Sequence, residues 1–296
     1  MRIRLQIYII PLKKSGNLNN STATGTTDKK IFRWTSALAE ETDSIAVEEP
    51  LEIILVYETD SGRMERSVAV TMRTPGNDEE LALGFLYTEK IIQSDKQVIK
   101  TELNAKDVNR VRVFLEKGFI PDIKKIQRNF YTSSSCGVCG RSSIDAVIQE
   151  LSPIPYKAFN ISARILQQLS DKVENAQSNF QRTGGIHAAA MFNLDGELLM
   201  LKEDVGRHNA MDKLSGAILN AGVSSEYKIL FLSGRASFEL MQKAAIMKIP
   251  IVVSVGAPST LAIEIAEEQN ILLAGFLRKE RFNVYYHQKD IHNFIK

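Results

Sequence analysis

Cysteine is scarce in this chain: Cys136 and Cys139 are the only two among 296 residues. Two cysteines in so long a chain do not make the disulfide framework of a small secreted domain, and they favour a reducing, cytoplasmic location. Long apolar runs are also missing. No stretch reaches about eighteen apolar residues, so no membrane-spanning helix is predicted. The apolar run at 7–10 is too short for the core of a signal peptide.

An excess of either charge is missing as well. The chain has 37 lysines and arginines against 35 acidic residues, a net charge of +2. So small a charge argues neither for nor against nucleic acid, because any basic patch would have to be local. We predict that the protein binds neither nucleic acid nor a membrane. With 44% apolar and 24% charged residues, the composition is that of a globular protein, and the length suggests two domains.

The N-terminal part is predicted to hold a disordered arm and a small domain. Residues 1–30 form the arm, because their second half carries too few apolar side chains to offset the entropy of ordering. Order is expected from near Ile31, and residues 31–155 are predicted to form an α+β domain that ends in the cysteine loop and its helix. The patterns predict strands over 44–58, 66–72 and 108–115, and helices over 79–92 (capped by Asn77 or Asp78) and 142–151.

Residues 156–296 are predicted to form a three-layer α/β/α sandwich after a helical linker over 163–178. The turn at Asp195-Gly196 indicates a hairpin. Strands are predicted over 187–192, 198–201, 228–232, 251–255, 271–276 and 282–286, with helices over 208–219, 238–247 and 261–268. Strands so rich in Ile, Leu and Val are typical of parallel strands buried on both faces.

Three loops at the ends of these strands indicate where a ligand binds. In such sheets, ligands bind beyond the carboxyl ends of the strands, where helix N-termini favour anions. The loops are 203–209, 233–237 and 256–260, and Arg207 and Arg235 add guanidinium groups that suit phosphate oxygens. The cationic loop 276–281, between the last two predicted strands, adds further positive charge. The sequence therefore predicts a site for a phosphorylated or nucleotide-like ligand.

Each of these residues also has a purely structural interpretation. Asp204 and Ser237 could be helix caps. His208 and Asp212 are four residues apart and could form an ion pair on one helix face. The cations of the last loop could lie on a solvated turn, and His187 could be a structural residue at a strand end.

The two cysteines stand in a C-x-x-C pattern inside the small-residue stretch 132–140. This composition favours an exposed loop with accessible sulfurs, and the spacing favours the thiolate. Four interpretations remain open on spacing alone: a thioredoxin-like dithiol, two structural cysteines, a persulfide-carrying nucleophile, or half of a zinc site. The zinc site would need two further ligands from His187, His208, His287 and His292.

Five motifs follow one another along the chain: SSCGVCG at 134–140, TGGIHAAA at 183–190, EDVGRHNAMDK at 203–213, SGRASFE at 233–239 and GAPSTLA at 256–262. Together they resemble the FdhD family, the formate dehydrogenase accessory sulfurtransferases. The resemblance implies a cytidine-deaminase-like fold for the C-terminal domain. It does not imply deamination, because zinc deaminases place P-C-x-x-C after H-x-E. Here the C-x-x-C comes first, and HAAA lacks the glutamate.

The resemblance implies a sulfur carrier that accepts persulfide sulfur from a cysteine desulfurase. The carrier passes this sulfur to the molybdenum bis(molybdopterin guanine dinucleotide) cofactor, which then enters formate dehydrogenase. It further implies that Cys136 carries the persulfide, that Cys139 assists or resolves it, and that two copies form a homodimer. No zinc is expected, and GDP would mimic part of the cofactor. The cofactor-binding residues that we predict are Gly206, Arg207, His208, Ser233, Gly234, Arg235, Gly256, Ser259, Phe276, Leu277, Arg278, Lys279, Glu280 and Arg281. A cofactor-binding chaperone with purely structural cysteines remains the alternative.

Overall fold

The computed structural model describes residues 25–104, 107–122, 151–155 and 161–287. Residues 1–24 of the predicted arm, the cysteine loop, and the predicted helix over 142–151 apart from its last residue lie outside these ranges. Within them the strands form three sheets, of two, four and six strands.

The two-stranded sheet is a hairpin of β1 (Thr26–Trp34) and β2 (Leu38–Ala46). Residues 26–30 therefore belong to a strand, so the prediction of a disordered arm over 1–30 is wrong for those residues. Most of the hairpin is exposed, and Phe32 and Trp34 near its tip are 72% and 69% exposed. The prediction failed because a strand is recognised by apolar residues alternating onto one face, and this polar ribbon has no such pattern.

The four-stranded sheet has the order β4-β3-β6-β5. Its strands are β3 (Glu49–Thr59), β4 (Gly62–Arg73), β5 (Val98–Asn104) and β6 (Asp107–Leu115). The strands predicted over 44–58 and 66–72 correspond to β3 and β4, which pair antiparallel, except that residues 44–46 belong to β2; β3 pairs with β6 in parallel. Helix α1 (Asp78–Thr88) packs its apolar side chains on this sheet in one buried core. The edge strand β5 was not predicted, since only its partner β6 has an alternating buried face.

A buried ion pair fixes the start of α1. Arg73, only 1% exposed, donates from Nε to Asp78 Oδ1 at 2.9 Å and from Nη2 to Asp78 Oδ2 at 3.0 Å. Asp78 is therefore the first helical residue and a partner of the sheet. Asn77 is the N-cap, in the left-handed conformation and without a side-chain capping bond.

The six-stranded sheet has the order β12-β11-β10-β9-β7-β8. Its strands are β7 (His187–Asn193), β8 (Leu198–Asp204), β9 (Lys228–Leu232), β10 (Ile251–Ser254), β11 (Leu272–Gly275) and β12 (Asn283–Tyr286). Strands β9, β10 and β11 are parallel to one another. The prediction of parallel strands is wrong for β7, which is antiparallel to β9, and for β12, which is antiparallel to β11.

Helices cover both faces of this sheet, which confirms the predicted three layers. The helices are α2 (Ala163–Ala176), α3 (Ser178–Thr183), α4 (Arg207–Ala221), α5 (Phe238–Ile246) and α6 (Thr260–Gln269). Alternate residues of each strand point to opposite faces. Leu230 and Leu232 of β9 pack with α4, α5 and α6, whereas Ile229 and Phe231 pack with α2. None of the helices in the described part of the chain is long and apolar enough to cross a membrane.

The two larger units meet where α1 crosses α4. A Cβ on Gly84 would lie 1.9 Å from the carbonyl oxygen of Asp212, and a Cβ on Gly216 would lie 1.9 Å from that of Glu80. Gly84 therefore contacts the backbone of α4 at Asp212, four residues before Gly216. In the same way, Gly216 contacts the backbone of α1 at Glu80, four residues before Gly84. A helix backbone approaches this closely only where no side chain intervenes.

The segment at 151–155, predicted to belong to the first domain, packs on the second. Ile154 is 8% exposed within the core formed by α4, α5 and α6. Its N–H donates to the carbonyl oxygen of Gln269 at 3.1 Å. The chain has therefore reached the second unit before residue 156, where the sequence placed the boundary.

Candidate functional site

The candidate site lies beyond the carboxyl ends of β9, β10 and β11, where the sequence predicted it. Main-chain hydrogen bonds join the three loops that follow these strands, which are 233–237, 256–260 and 276–281. Gly256 N–H donates to Gly234 O at 2.9 Å, Ser259 N–H to Ala236 O at 3.0 Å, and Phe276 N–H to Gly256 O at 3.1 Å. The loops thus form one fixed edge, and a glycine is needed at 256, because a Cβ there would lie 2.9 Å from the Cα of Arg235.

A cleft of about 680 Å³ opens at this edge, on the side of the sheet that α2 covers. Four of the predicted ligand-binding residues line it: Ser233, Leu277, Arg278 and Lys279. The other predicted residues lie on the surrounding loops and are not part of its wall. The opposite wall comes from α2, α3 and the loop after them: Ser170, Asp171, Val173, Glu174, Gln177, Phe180, Gly184, Gly185 and Ile186. No signal in the sequence marks this wall, because an amphipathic helix carries no sign that one of its flanks borders a cleft.

The cationic loop 276–281 is a tight turn between β11 and β12. Arg278 N–H donates to Arg281 O at 2.8 Å, and the Arg278 Nη1 donates to Val255 O at 2.9 Å. Lys279 forms an ion pair with Asp171 across the cleft at 3.4 Å. Glu280 and Arg281 are exposed on the turn and are not among the residues of the cleft wall. Arg278 and Lys279 therefore supply the positive charge of the cleft itself, and Asp171 and Glu174 on the opposite wall supply negative charge.

His187 is a further member of the cleft that the predicted ligand-binding set did not include. It is the first residue of β7, and its Nδ1 lies 3.4 Å from the Ser233 Oγ. A Cβ on Gly234 would lie 3.3 Å from the Cε1 of this ring. Burial lowers the pKa of His187 from its ordinary value of 6.5; the charges of Arg207 and His208 lower it further, and Asp204 opposes them.

The motif at 203–213 is used mainly to hold the two units together. Asp204 is fully buried, and its Oδ2 lies 2.7 Å from the Lys213 Nζ and accepts from the Thr74 N–H at 3.1 Å. Lys213 also donates to Thr74 O at 2.7 Å. Asn209 donates to Met72 O at 2.7 Å. The sequence grouped these residues with a ligand site, but their partners lie on β4 and just after it.

The alternative interpretation, an ion pair between His208 and Asp212, does not hold, because each has another partner. Asp212 accepts from the Lys243 Nζ at 2.8 Å and from the Thr88 Oγ1 at 2.8 Å, which links α4 to α5 and α1. The His208 Nε2 lies 2.8 Å from the Glu239 Oε2 on α5. Burial alone would lower the pKa of Lys243, but the carboxylates of Asp212 and Glu89 hold it above its ordinary value, so the ammonium stays charged.

The helix N-termini at the edge differ in how they are capped. Ser259 accepts from the Ala262 N–H at 3.2 Å and caps α6. Gly206 and Ser237 are the N-caps of α4 and α5 and make no side-chain capping bond. The Arg207 Nε is buried without a hydrogen-bond partner among the described residues. Ser259, predicted to bind the ligand, therefore has a structural task, and Asp204 is not the cap of α4.

Cys136 and Cys139 lie outside the residues that the structure describes. Their predicted roles stay predictions. Within the described ranges, no three side chains of His, Cys, Asp or Glu converge on a point where a metal ion could bind.

Comparisons with known proteins agree with the motifs. A model of the FdhD/NarQ family matches residues 46–292. The chain is 45% identical to the sulfur carrier protein FdhD of Picrophilus torridus over 251 residues, which cover 84% of this chain and 92% of that protein. It is 39% identical to the sulfur carrier protein FdhD of Thermoplasma volcanium over 290 residues, covering 95% and 99%. Among solved structures, a candidate formate dehydrogenase accessory protein of Desulfotalea psychrophila superposes with a TM-score of 0.71 at 21% identity, over 92% of this chain and 100% of that one. At this identity the match speaks for the fold alone.

Proposed function

The chain belongs to the FdhD/NarQ family, and on that premise we propose that it is a sulfur carrier required for formate dehydrogenase activity. It accepts persulfide sulfur from a cysteine desulfurase on its C-x-x-C loop. It then transfers this sulfur to the molybdenum bis(molybdopterin guanine dinucleotide) cofactor before that cofactor enters formate dehydrogenase. This relay makes it a sulfurtransferase, working in the cytoplasm as a homodimer.

The observation that carries the proposal is the extent of the similarity. Relatives named as sulfur carriers are 39% and 45% identical over 95% and 84% of this chain. The aligned length exceeds any one motif or domain, so both the cysteine loop and the C-terminal sandwich belong to the shared protein.

The cleft supports the second half of the relay, in which a large anionic substrate is held. Its volume of about 680 Å³ lies within the range of about 300–1,000 Å³ that is usual for small-molecule sites. Arg278 and Lys279 offer charge to phosphate oxygens, and Phe180 offers an aromatic face on the opposite wall. A nucleotide-sized portion of the cofactor fits this combination of charge, aromatic surface and size.

The first half of the relay is a thiol exchange at Cys136. Its thiolate attacks the outer sulfur of the desulfurase persulfide, the sulfur–sulfur bond of that persulfide breaks, and the desulfurase cysteine leaves as a thiolate. Cys136 then carries the transferred sulfur until the cofactor takes it. Cys139 assists this exchange or resolves the product.

The test uses intact-mass spectrometry after incubation with a cysteine desulfurase and cysteine. The wild-type chain should gain the mass of one sulfur atom, and Cys136→Ala should not gain it and should fail to restore formate dehydrogenase activity in cells that lack this protein. Cys139→Ala is the matched control and should be equally or less affected.

Two results would contradict the carrier. A Cys136→Ala variant that restores full formate dehydrogenase activity would favour a cofactor-binding chaperone instead. A large fall in melting temperature for the same variant would assign the cysteine a structural role.

A further inference from the structure

Ser233 is held in place by the strand that carries His187. Its N–H donates to Ala188 O at 3.0 Å, and the Ala188 N–H donates in return to the Ser233 Oγ at 2.8 Å. The hydroxyl oxygen therefore already accepts one hydrogen bond from a backbone N–H whose direction is fixed by strand β7. Its position and the direction of its own proton are both constrained.

Among the described residues, the Nδ1 of His187 lies 3.4 Å from the Ser233 Oγ, within reach of the remaining proton of this hydroxyl. A hydroxyl both donates and accepts, and the Oγ is already used as an acceptor from Ala188. The oxygen keeps a second lone pair, so the contact with Nδ1 can run in either direction; donation by the hydroxyl is the direction that uses its proton, and a neutral imidazole that accepts at Nδ1 carries its own proton on Nε2. The same ring lines the cleft.

The surroundings favour this neutral ring. Arg207 passes Gly234 on the same side as His187: a Cβ on Gly234 would lie 3.3 Å from the His187 Cε1 and 3.9 Å from the Arg207 Cδ. Arg278 and Lys279 lie on the wall of the same cleft. A positive charge on His187 would be opposed by burial and by Arg207, with Asp204 acting in its favour; the cleft wall adds Arg278 and Lys279 on one side and Asp171 and Glu174 on the other.

We propose that Ser233 fixes the tautomer of His187 so that the ring presents a neutral Nε2–H to an anionic ligand in the cleft. His187 is then a ligand-binding residue, and Ser233 is a positioning residue that acts through it. The proposal rests on the proposed function in one respect, that the cleft is the ligand site. A neutral N–H gives a hydrogen bond of fixed direction, while Arg278 and Lys279 supply the charge.

The first test reads the tautomer directly, without any ligand. In ¹⁵N NMR spectra of the full chain, His187 should show a protonated Nε2 and an unprotonated Nδ1, with its signals assigned by their loss in His187→Gln. Ser233→Ala should lose the single tautomer, whereas Ser254→Ala, a buried serine bonded to Gly256 O, should leave it unchanged. A wild-type His187 protonated on Nδ1 would overturn the proposal.

The second test measures binding of GDP by calorimetry. His187→Ala should bind about tenfold more weakly, the usual loss for one hydrogen bond to a charged group. His187→Gln keeps an N–H donor and should stay within about threefold of wild type, and Ser233→Ala should fall between them. Equal affinity of His187→Ala and wild type would refute the role of His187. If wild type binds no GDP, the proposed ligand fails, and the NMR result alone decides the tautomer proposal.

Discussion

Replacing Gly84 by alanine should drive α1 and α4 apart. The new Cβ would lie 1.9 Å from the Asp212 carbonyl oxygen and 2.7 Å from the Gly216 nitrogen. Ordinary van der Waals contact begins near 3.4 Å, so the helices must separate by 3.4 − 1.9 = 1.5 Å at this point. Both obstructing atoms belong to the backbone, which cannot rotate aside as a side chain can.

The magnitude follows from two opposed effects. Overpacking costs about 1–3 kcal/mol, and a rigid backbone neighbour favours the upper end. Alanine is a better helix former than glycine and offsets about 1 kcal/mol of that cost. The net loss should be about 2 kcal/mol, which corresponds to a fall in Tm of about 4–8 °C for a chain of this size.

The assay is thermal unfolding followed by circular dichroism, with Gly185→Ala as the matched control. A Cβ on Gly185 would contact only the Thr183 carbonyl oxygen, at 3.8 Å, so its Tm should change little. A Gly84→Ala variant that melts at or above the wild-type temperature would refute the contact, because helix propensity alone predicts that outcome.

Three further predictions concern charge. Lys243→Met leaves the buried Asp212 without its cation and should cost about 3–5 kcal/mol in chemical denaturation, and adding Asp212→Leu should recover much of this. The lowered pKa of His187 means that the fold favours the neutral ring, so this contribution to stability is present above pH 6.5 and is lost as the pH falls below it. The fall in Tm between about pH 7.5 and pH 5.5 should therefore be smaller in His187→Gln than in wild type. Arg278→Ala should lose GDP binding and still accept sulfur from the desulfurase. Loss of sulfur loading in this variant would contradict the separation of the two roles. Arg281→Ala, on the exposed side of the turn, tests how far the binding site extends.

The strands of the sandwich could be predicted because their composition is recognisable in the sequence. A strand covered by helices on both faces must be apolar along its whole length. The predicted strand at 228–232 coincides with β9 (Lys228–Leu232) for this reason. The exposed hairpin β1–β2 and the edge strand β5 had no such signal. The loops at the carboxyl edge could be predicted too, since their place follows from the order of strands and helices.

The sequence by itself determined the family, the apolar layers and the edge where the candidate site lies, because motifs and burial patterns are local. The tertiary structure alone decided the partners of the polar residues. Asp212 has His208 one turn away on the same helix, yet it pairs with Lys243 on another helix. Likewise, nothing near Ser233 in the chain indicates His187, which antiparallel pairing of β7 with β9 brings beside it. Such contacts join residues far apart in sequence, and only the packing of complete elements brings them within hydrogen-bonding distance.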